Sequence, residues 1–386
     1  SMDWVKWIIC LIGHLGIWCV AFNRIHATSL PRKFRKQSEK VVIPIVLVPI
    51  AYVFFWMLFW GRFDFDSFCD FRVSWIYQFV CLAAGAYFLL RWILRRWFGR
   101  LPKSVVHCKR TWIDIASDIQ GPMFHGTVPE LLGMFPMNEA SKLTLQEMSF
   151  QLPLTADLNG LKICQLSDLH FTGQIAVEYF QRIVDQANRF EPDLIVITGD
   201  IIDEADCLPW LDLTLAKLHA KYGVFYVLGN HDKRIPDESD LRDRLAACGL
   251  TPVSGQWVDV EVGEAKICLT GNELPWYKNA NQLPPPSEKP ECDLSILLSH
   301  SPDQMDWAVP YDFDLMFAGH THGGQIAFPL IGPIVAPSKY GVKFASGTFQ
   351  IGDMLMHVSR GISGDEPIRV GSPPELGLFT IVADEG

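Results

Sequence analysis

Residues 193–200 read DLIVITGD, a continuous apolar run that stops on Gly199 and Asp200. Five such residues without alternation fit a strand buried on both faces, as in the parallel part of an α/β sheet. The same phrase recurs along the chain. KICQLSDLH (162–170) ends in Asp168 and His170, and VFYVLGNHD (224–232) ends in Asn230, His231 and Asp232. SILLSH (295–300) ends in His300, and LMFAGHTH (315–322) ends in His320 and His322. Between these runs, 176–190 and 210–222 have helical spacing, so the order is strand, helix, strand, helix, strand. KLTLQEMSFQL (142–152) alternates as a strand does, and GLFTIVAD (377–384) reads as a last strand.

In an open α/β sheet the carboxyl ends of the strands share one edge, and neighbouring strands lie about 5 Å apart. Five runs that each end in a carboxylate, amide or imidazole therefore converge. Aspartate, histidine and asparagine without cysteine form a ligand set suited to Mn, Fe, Zn or Co. Seven such groups exceed the needs of one ion and suit two that share a carboxylate. Two metals roughly 3.5–4 Å apart favour in-line displacement at phosphorus. No serine elbow, Walker loop or dinucleotide glycine fingerprint competes with this reading.

The first hundred residues differ. Trp4–Phe22, Val41–Trp60 and Trp75–Leu90 are each near the roughly 20 residues that cross a bilayer. Arg24, Arg32, Lys33, Arg35, Lys36 and Lys40 follow the first span, and Arg91, Arg95, Arg96, Arg100 and Lys103 follow the third. Asp64, Asp66 and Asp70 lie between the second and third. Lys and Arg mark the cytoplasmic side, which places everything beyond Arg91 inside. The expected organisation is a transmembrane region of about three helices (1–100), a linker or amphipathic segment (101–142) and a catalytic domain (143–386). Ser1 before Met2 reads as a cloning remnant. A mean hydropathy of +0.15 agrees with lipid burial. A net charge of -10 argues against a nucleic-acid partner. Ten cysteines without C-x-x-C pairs read as reduced thiols.

SDLH, TGDIID, LGNHD, LLSHSPD and AGHTHGGQI, in this order and spacing, resemble the five blocks of the calcineurin-like metallophosphoesterases. GGQI and the later SRGIS (359–363) resemble the membrane-associated branch, to which some bacterial UDP-2,3-diacylglucosamine hydrolases are similar. The resemblance implies an α/β (α+β) fold, a four-layer α/β/β/α sandwich behind the transmembrane helices. It implies two divalent ions, manganese foremost, with Fe, Zn, Co or Mg as alternatives. Asp168, His170 and His322 would hold one ion, Asn230, His300 and His320 the other, and Asp200 would bridge them. His231 would face the phosphate, oriented by Asp232. Asp203 reads as a helix cap. Arg360 and Gln325 are candidate substrate contacts, and His357, His219 and His14 read as structural or surface residues.

The expected function is hydrolysis of a phosphodiester or pyrophosphate, with a lipid-linked substrate such as UDP-2,3-diacylglucosamine giving UMP and lipid phosphate. Membrane lipid is the other expected partner. The expected location is a bacterial inner membrane with the catalytic domain on the cytoplasmic side. A broad phosphodiesterase or phosphatase is the enzymatic alternative, and a metal-binding scaffold or sensor is the alternative of another class.

Overall fold

A computed structural model describes residues 2–28, 30, 32–60, 72–98 and 101–384. The chain divides into two compact units, 1–100 and 101–386. The first contains helices α1 (Met2–His26), α2 (Arg32–Trp60) and α3 (Arg72–Phe98). Windows Ile8–His26 and Ile76–Leu94 are long and apolar enough to cross a membrane. The expected middle span lies on α2, where the side chains of 48–50 and 52–60 are outside the described residues; so are Arg62, Asp64, Asp66 and Asp70. Helices α1 and α3 approach closely because Gly13, Gly16 and Gly85 carry no Cβ. A methyl on Gly13 would overlap the Cys81 carbonyl, and one on Gly85 the Ile9 carbonyl. Small residues at a crossing are the usual way helices pack in lipid. His14 packs at this crossing, with Nδ1 2.7 Å from the Tyr77 hydroxyl.

The second unit contains two mixed sheets. The seven-stranded one has the order β1 (Val105–Asp114), β2 (Lys142–Leu152), β15 (Glu375–Ala383), β3 (Lys162–Leu166), β4 (Leu194–Thr198), β5 (Gly223–Val227), β6 (Leu250–Pro252). The six-stranded one has the order β13 (Gly347–Ile351), β14 (Met354–Val358), β10 (Leu315–Ala318), β9 (Leu294–Ser299), β8 (Ala265–Asn272), β7 (Val258–Val262). A hairpin of β11 (Ala327–Phe328) and β12 (Gly332–Pro333) stands apart. Strands β3 to β6 are parallel, as are β8, β9, β10 and β14.

The unalternated strands are explained by two buried faces. On β4, Leu194 and Val196 face the layer between the sheets, while Ile195 and Ile197 join the core under α5 (Val177–Arg189). Leu297 and Met316 face a third cluster outside the second sheet, where the short helix α8 (Met305–Ala308) packs. These are the four layers of the expected sandwich.

Two local expectations are corrected. Residues 105–114, expected within the linker, form the edge strand β1, paired along its length with β2. Its side chains are largely exposed, so no buried face imposes alternation. The helix expected over 210–222 is only α6 (Trp210–Leu213), followed by a 3-10 turn at Leu215–Lys217. Thr214, between them, turns its hydroxyl back to the Trp210 carbonyl at 2.6 Å, which competes with helix continuation. In the remainder, α4 is Thr127–Gly133 and α7 is Glu238–Ala247. The nine described cysteines are thiols.

Candidate metal centre

The five strand ends meet where the two sheets adjoin. Gln165 on β3 donates to Thr198 Oγ1 (3.1 Å) on β4 and to the Ala318 carbonyl (3.0 Å) on β10, tying the sheets together beneath the loops. Asp168, His170, Asp200, His320 and His322 all have positive φ, between 47° and 70°. Left-handed backbone is uncommon outside glycine, and such strain collects at functional sites. Gly199 is required beside Asp200: its φ is +87°, and a Cβ there would lie 2.7 Å from His300 Nδ1. His320 and His322 do not share an extended segment, since β10 ends at Ala318 and both residues turn left-handed.

Two clusters result, joined by Asp200. In the first, His170 Nε2 and His322 Nε2 are 3.3 Å apart, with Asp168 Oδ1 3.5 Å from His322 Nε2 and Asp200 Oδ2 3.6 Å from His170 Nε2. In the second, His300 Nε2 lies 3.2 Å from Asp200 Oδ2, 3.1 Å from Asn230 Oδ1 and 3.1 Å from His320 Nδ1. The Trp276 ring walls this second cluster, 4.8 Å from the His320 ring. The opposite nitrogens fix the tautomers of His170 and His300. His170 Nδ1 donates to Asp203 (3.0 Å) and His300 Nδ1 to the Thr198 carbonyl (2.8 Å), while His322 Nδ1 lies between the Ser363 carbonyl (3.1 Å) and the donating Arg369 Nη2 (3.2 Å). The Nε2 atoms of His170 and His300 are therefore left as acceptors facing other acceptors. Such a set requires a cation, a metal ion or a proton, at its centre.

The electrostatics agree. Burial alone would lower His170, but Asp203 and Asp200 raise it to about 9. Burial likewise opposes charge on His300, and Asp200 raises it to about 9. Asp200 lies well below the carboxylate range despite burial, because His300 and His231 face it. Burial pushes Asp168 up. His322 is held well below its usual value by burial and by the charges of His170 and Arg369.

His231 projects beside the first cluster, with its ring 4.5 Å from that of His170. The expected His231–Asp232 pair is not present. Asp232 accepts from the backbone N–H groups of Ile201 (2.9 Å), Ile202 (3.0 Å) and Gly229 (2.7 Å), and burial with the neighbouring Asp200 charge raises it to about 7. His231 Nδ1 instead lies 2.9 Å from Asp203 Oδ1. Asp203 is thus not a helix cap but the shared acceptor of His170 and His231, with Arg234 Nη1 a further 3.5 Å away. Burial opposes its charge, but His170 and His231 hold it below the usual range.

The two substrate candidates are engaged elsewhere. Arg360 Nη2 pairs with Glu375 Oε2 at 3.0 Å and its Nε donates to the Pro373 carbonyl. Glu375 also accepts from His357 Nε2 at 2.9 Å and lies near 2, its burial outweighed by Arg360 and His357. Gln325 Nε2 donates to the Glu366 carbonyl at 2.9 Å. Sequence reading overlooked Arg369, fully buried and lowered to about 10 by that burial. It donates to the carbonyls of His322 (3.0 Å), Arg360 (2.6 Å) and Ser363, bracing the loop that positions His322. Nothing in its PIRV context signals this.

The family model for calcineurin-like phosphoesterases matches residues 161–324, which contain both clusters. The metallophosphoesterase YkuE of Bacillus subtilis is 32% identical over 228 residues, 58% of this chain and 79% of that one. The chain belongs to the calcineurin-like phosphoesterase family. It is accordingly a metal-dependent hydrolase of phosphoester bonds. A bovine "transmembrane protein with metallophosphoesterase domain" is 28% identical over 398 residues, covering 95% of this phosphoesterase and 86% of the relative. The UDP-2,3-diacylglucosamine pyrophosphatase LpxG of Chlamydia trachomatis is 26% identical over 298 residues, 62% of this chain and 90% of the relative. The apolar helices and the transmembrane relative indicate membrane association.

Proposed function

We propose that this phosphoesterase is a two-metal, membrane-anchored enzyme that hydrolyses a phosphodiester or pyrophosphate of a lipid-linked substrate. The observation that carries the two-metal reading is the position of Asp200 Oδ2, 3.6 Å from His170 Nε2 and 3.2 Å from His300 Nε2. Asp168, His170 and His322 would hold one divalent ion, Asn230, His300 and His320 the other, and Asp200 would contribute to both. The bound ions would supply the Lewis acidity that makes water nucleophilic near neutral pH and neutralises charge on the phosphoryl oxygens.

The chain's own residues supply the rest. Asp203 holds the Nδ1 protons of His170 and His231, so one carboxylate sets a ligand tautomer and orients the acid. His231 Nε2 is the side-chain group placed to protonate the departing oxygen. His170 and His231 keep Asp203 ionised against its burial, and Arg234, doubly bonded to Asp365 at 2.8 and 3.2 Å, lies 3.5 Å from its Oδ2.

The substrate reading is supported by the membrane helices and by relatives named for a lipid nucleotide. The basic residues around α1 and α3 favour a cytoplasmic catalytic domain, facing a bacterial inner membrane if the source is bacterial. UDP-2,3-diacylglucosamine is the first compound to test. Purified full-length protein with Mn²⁺ should release UMP from it. No UMP, alongside turnover of a soluble diester, would remove this substrate and leave the two-metal chemistry standing.

A further inference from the structure

Two stretches beside the metal centre contain no charged side chain, 131–138 and 323–338. Both fold with apolar side chains outward. Just before the first, Met123, Phe124 and Pro129 turn inward, while within it Leu131 and Met134 are 68% and 78% exposed. In the second, the β11–β12 hairpin presents Leu330 and Ile331 at its tip, 76% and 60% exposed.

The two stretches are neighbours, because both bond to residues 369–370. On one side Asn138 Oδ1 accepts from Arg369 N (3.0 Å) and Glu139 N donates to the Arg369 carbonyl (2.7 Å). On the other, Ala327 N donates to the Val370 carbonyl (2.7 Å) and Val370 N to the Gln325 carbonyl (3.1 Å). Gln325 is three residues from His322, so this apolar rim borders the mouth of the site. Exposed apolar patches on a soluble surface mark an interaction face.

We infer that this rim inserts into the lipid surface, seating the mouth of the metal centre against the headgroups. Several observations favour a bilayer over another protein. The chain has two apolar helices able to span a membrane, and only residues 99–104 separate α3 from β1 in sequence. Within each stretch the exposed side chains are bulky aliphatic, Met or Phe with no charge among them, while Glu139 and Glu366 lie at the junction between the two. The seat gives the enzyme direct access to phosphoesters lying at headgroup depth. It rests on the membrane association described above and not on the identity of the substrate.

The test is photocrosslinking of the full-length protein in phosphatidylcholine vesicles without substrate. p-Benzoylphenylalanine is placed at Leu330, at Leu131 or at Val309. Val309 is 52% exposed but lies on the turn entering β10, at the opposite end of that strand from the site. Phospholipid adducts at 330 and 131 and none at 309 are expected, by mass spectrometry. A protein–protein product at 330 and 131, showing a second copy on the rim, would overturn the inference, as would no lipid adduct at either position. UMP release without lipid adducts sinks the rim alone, and adducts without UMP release sink the substrate reading alone.

Discussion

Asp203→Asn separates the roles of two aspartates that lie near His231. Asp203 accepts from His170 Nδ1 at 3.0 Å and from His231 Nδ1 at 2.9 Å. An asparagine has one acceptor oxygen and a donor amide, so it can satisfy only one of these rings in the required tautomer. Hydrogen bonds to charged groups contribute roughly 1.5–3 kcal/mol each, and about 1.4 kcal/mol is a factor of ten. If His170 takes the wrong tautomer, its Nε2 bears a proton and metal affinity falls about 10–100-fold, the scale found when a ligand's supporting partner is removed. If His231 is the one lost, kcat falls by a similar factor. Metal titrations of kcat and kcat/KM on a soluble phosphodiester distinguish the two routes. Asp232→Asn should act differently. Its carboxylate caps three backbone N–H groups, so the cost, about 1–3 kcal/mol, should appear in thermal unfolding rather than in the metal titration. Wild-type metal affinity and kcat in Asp203→Asn, with both impaired in Asp232→Asn, would refute the reasoning.

Other outcomes follow from the same geometry. His231→Ala should keep its metals but slow turnover about 10²–10⁴-fold, read by metal analysis beside kcat. Metal affinity should rise as pH increases towards 9, because His170 and His300 are protonated up to about 9 in the metal-free protein; titration in weakly buffered solution should show proton release. By linkage, the stability these raised values give the metal-free chain is fully present below 6.5 and is lost as pH rises through about 9. Unfolding measured against pH checks the sign, and a metal-free stability that increases from pH 7 to 9 would contradict it. Arg360→Ala should destabilise the fold by about 3–5 kcal/mol, since it leaves buried Glu375 without its cation, while KM on a soluble substrate changes little; chemical unfolding beside kinetics tests this.

Much of the candidate site is legible because its proposed ligands follow strands. An apolar run buried on both faces announces itself, and the polar residue that ends it is brought to the shared edge by parallel pairing. That logic places Asp168, Asp200, Asn230, His300 and His320 without knowledge of any contact. It does not extend to the loops. The resemblance implies that Asp232 orients His231, yet the turn there aims Asp232 at the backbone N–H groups. The left-handed Asp200 reverses the chain so that Asp203 returns beneath His231, and no local pattern encodes that reversal. Arg369 escapes notice, and Arg360 reads as a substrate contact, for a related reason. A guanidinium in sequence looks like a surface or substrate group, and only the packing of β14, β15 and the 359–363 loop reveals the carbonyls and Glu375 that bury it. Strand β1 was hidden because an edge strand exposed on both faces has no apolar rhythm.

The most direct test of the account is metal stoichiometry in the full-length protein and three variants. Mass-spectrometric metal analysis should find two ions per chain in the wild type. His322→Ala and His320→Ala should each retain one, and the retained ions should differ in spectroscopic environment after cobalt substitution. Asp200→Asn should weaken both, since its carboxylate faces His170 and His300 together. A single ion in the wild type, or two ions retained in Asp200→Asn with unchanged affinity, would contradict the bridged two-metal centre.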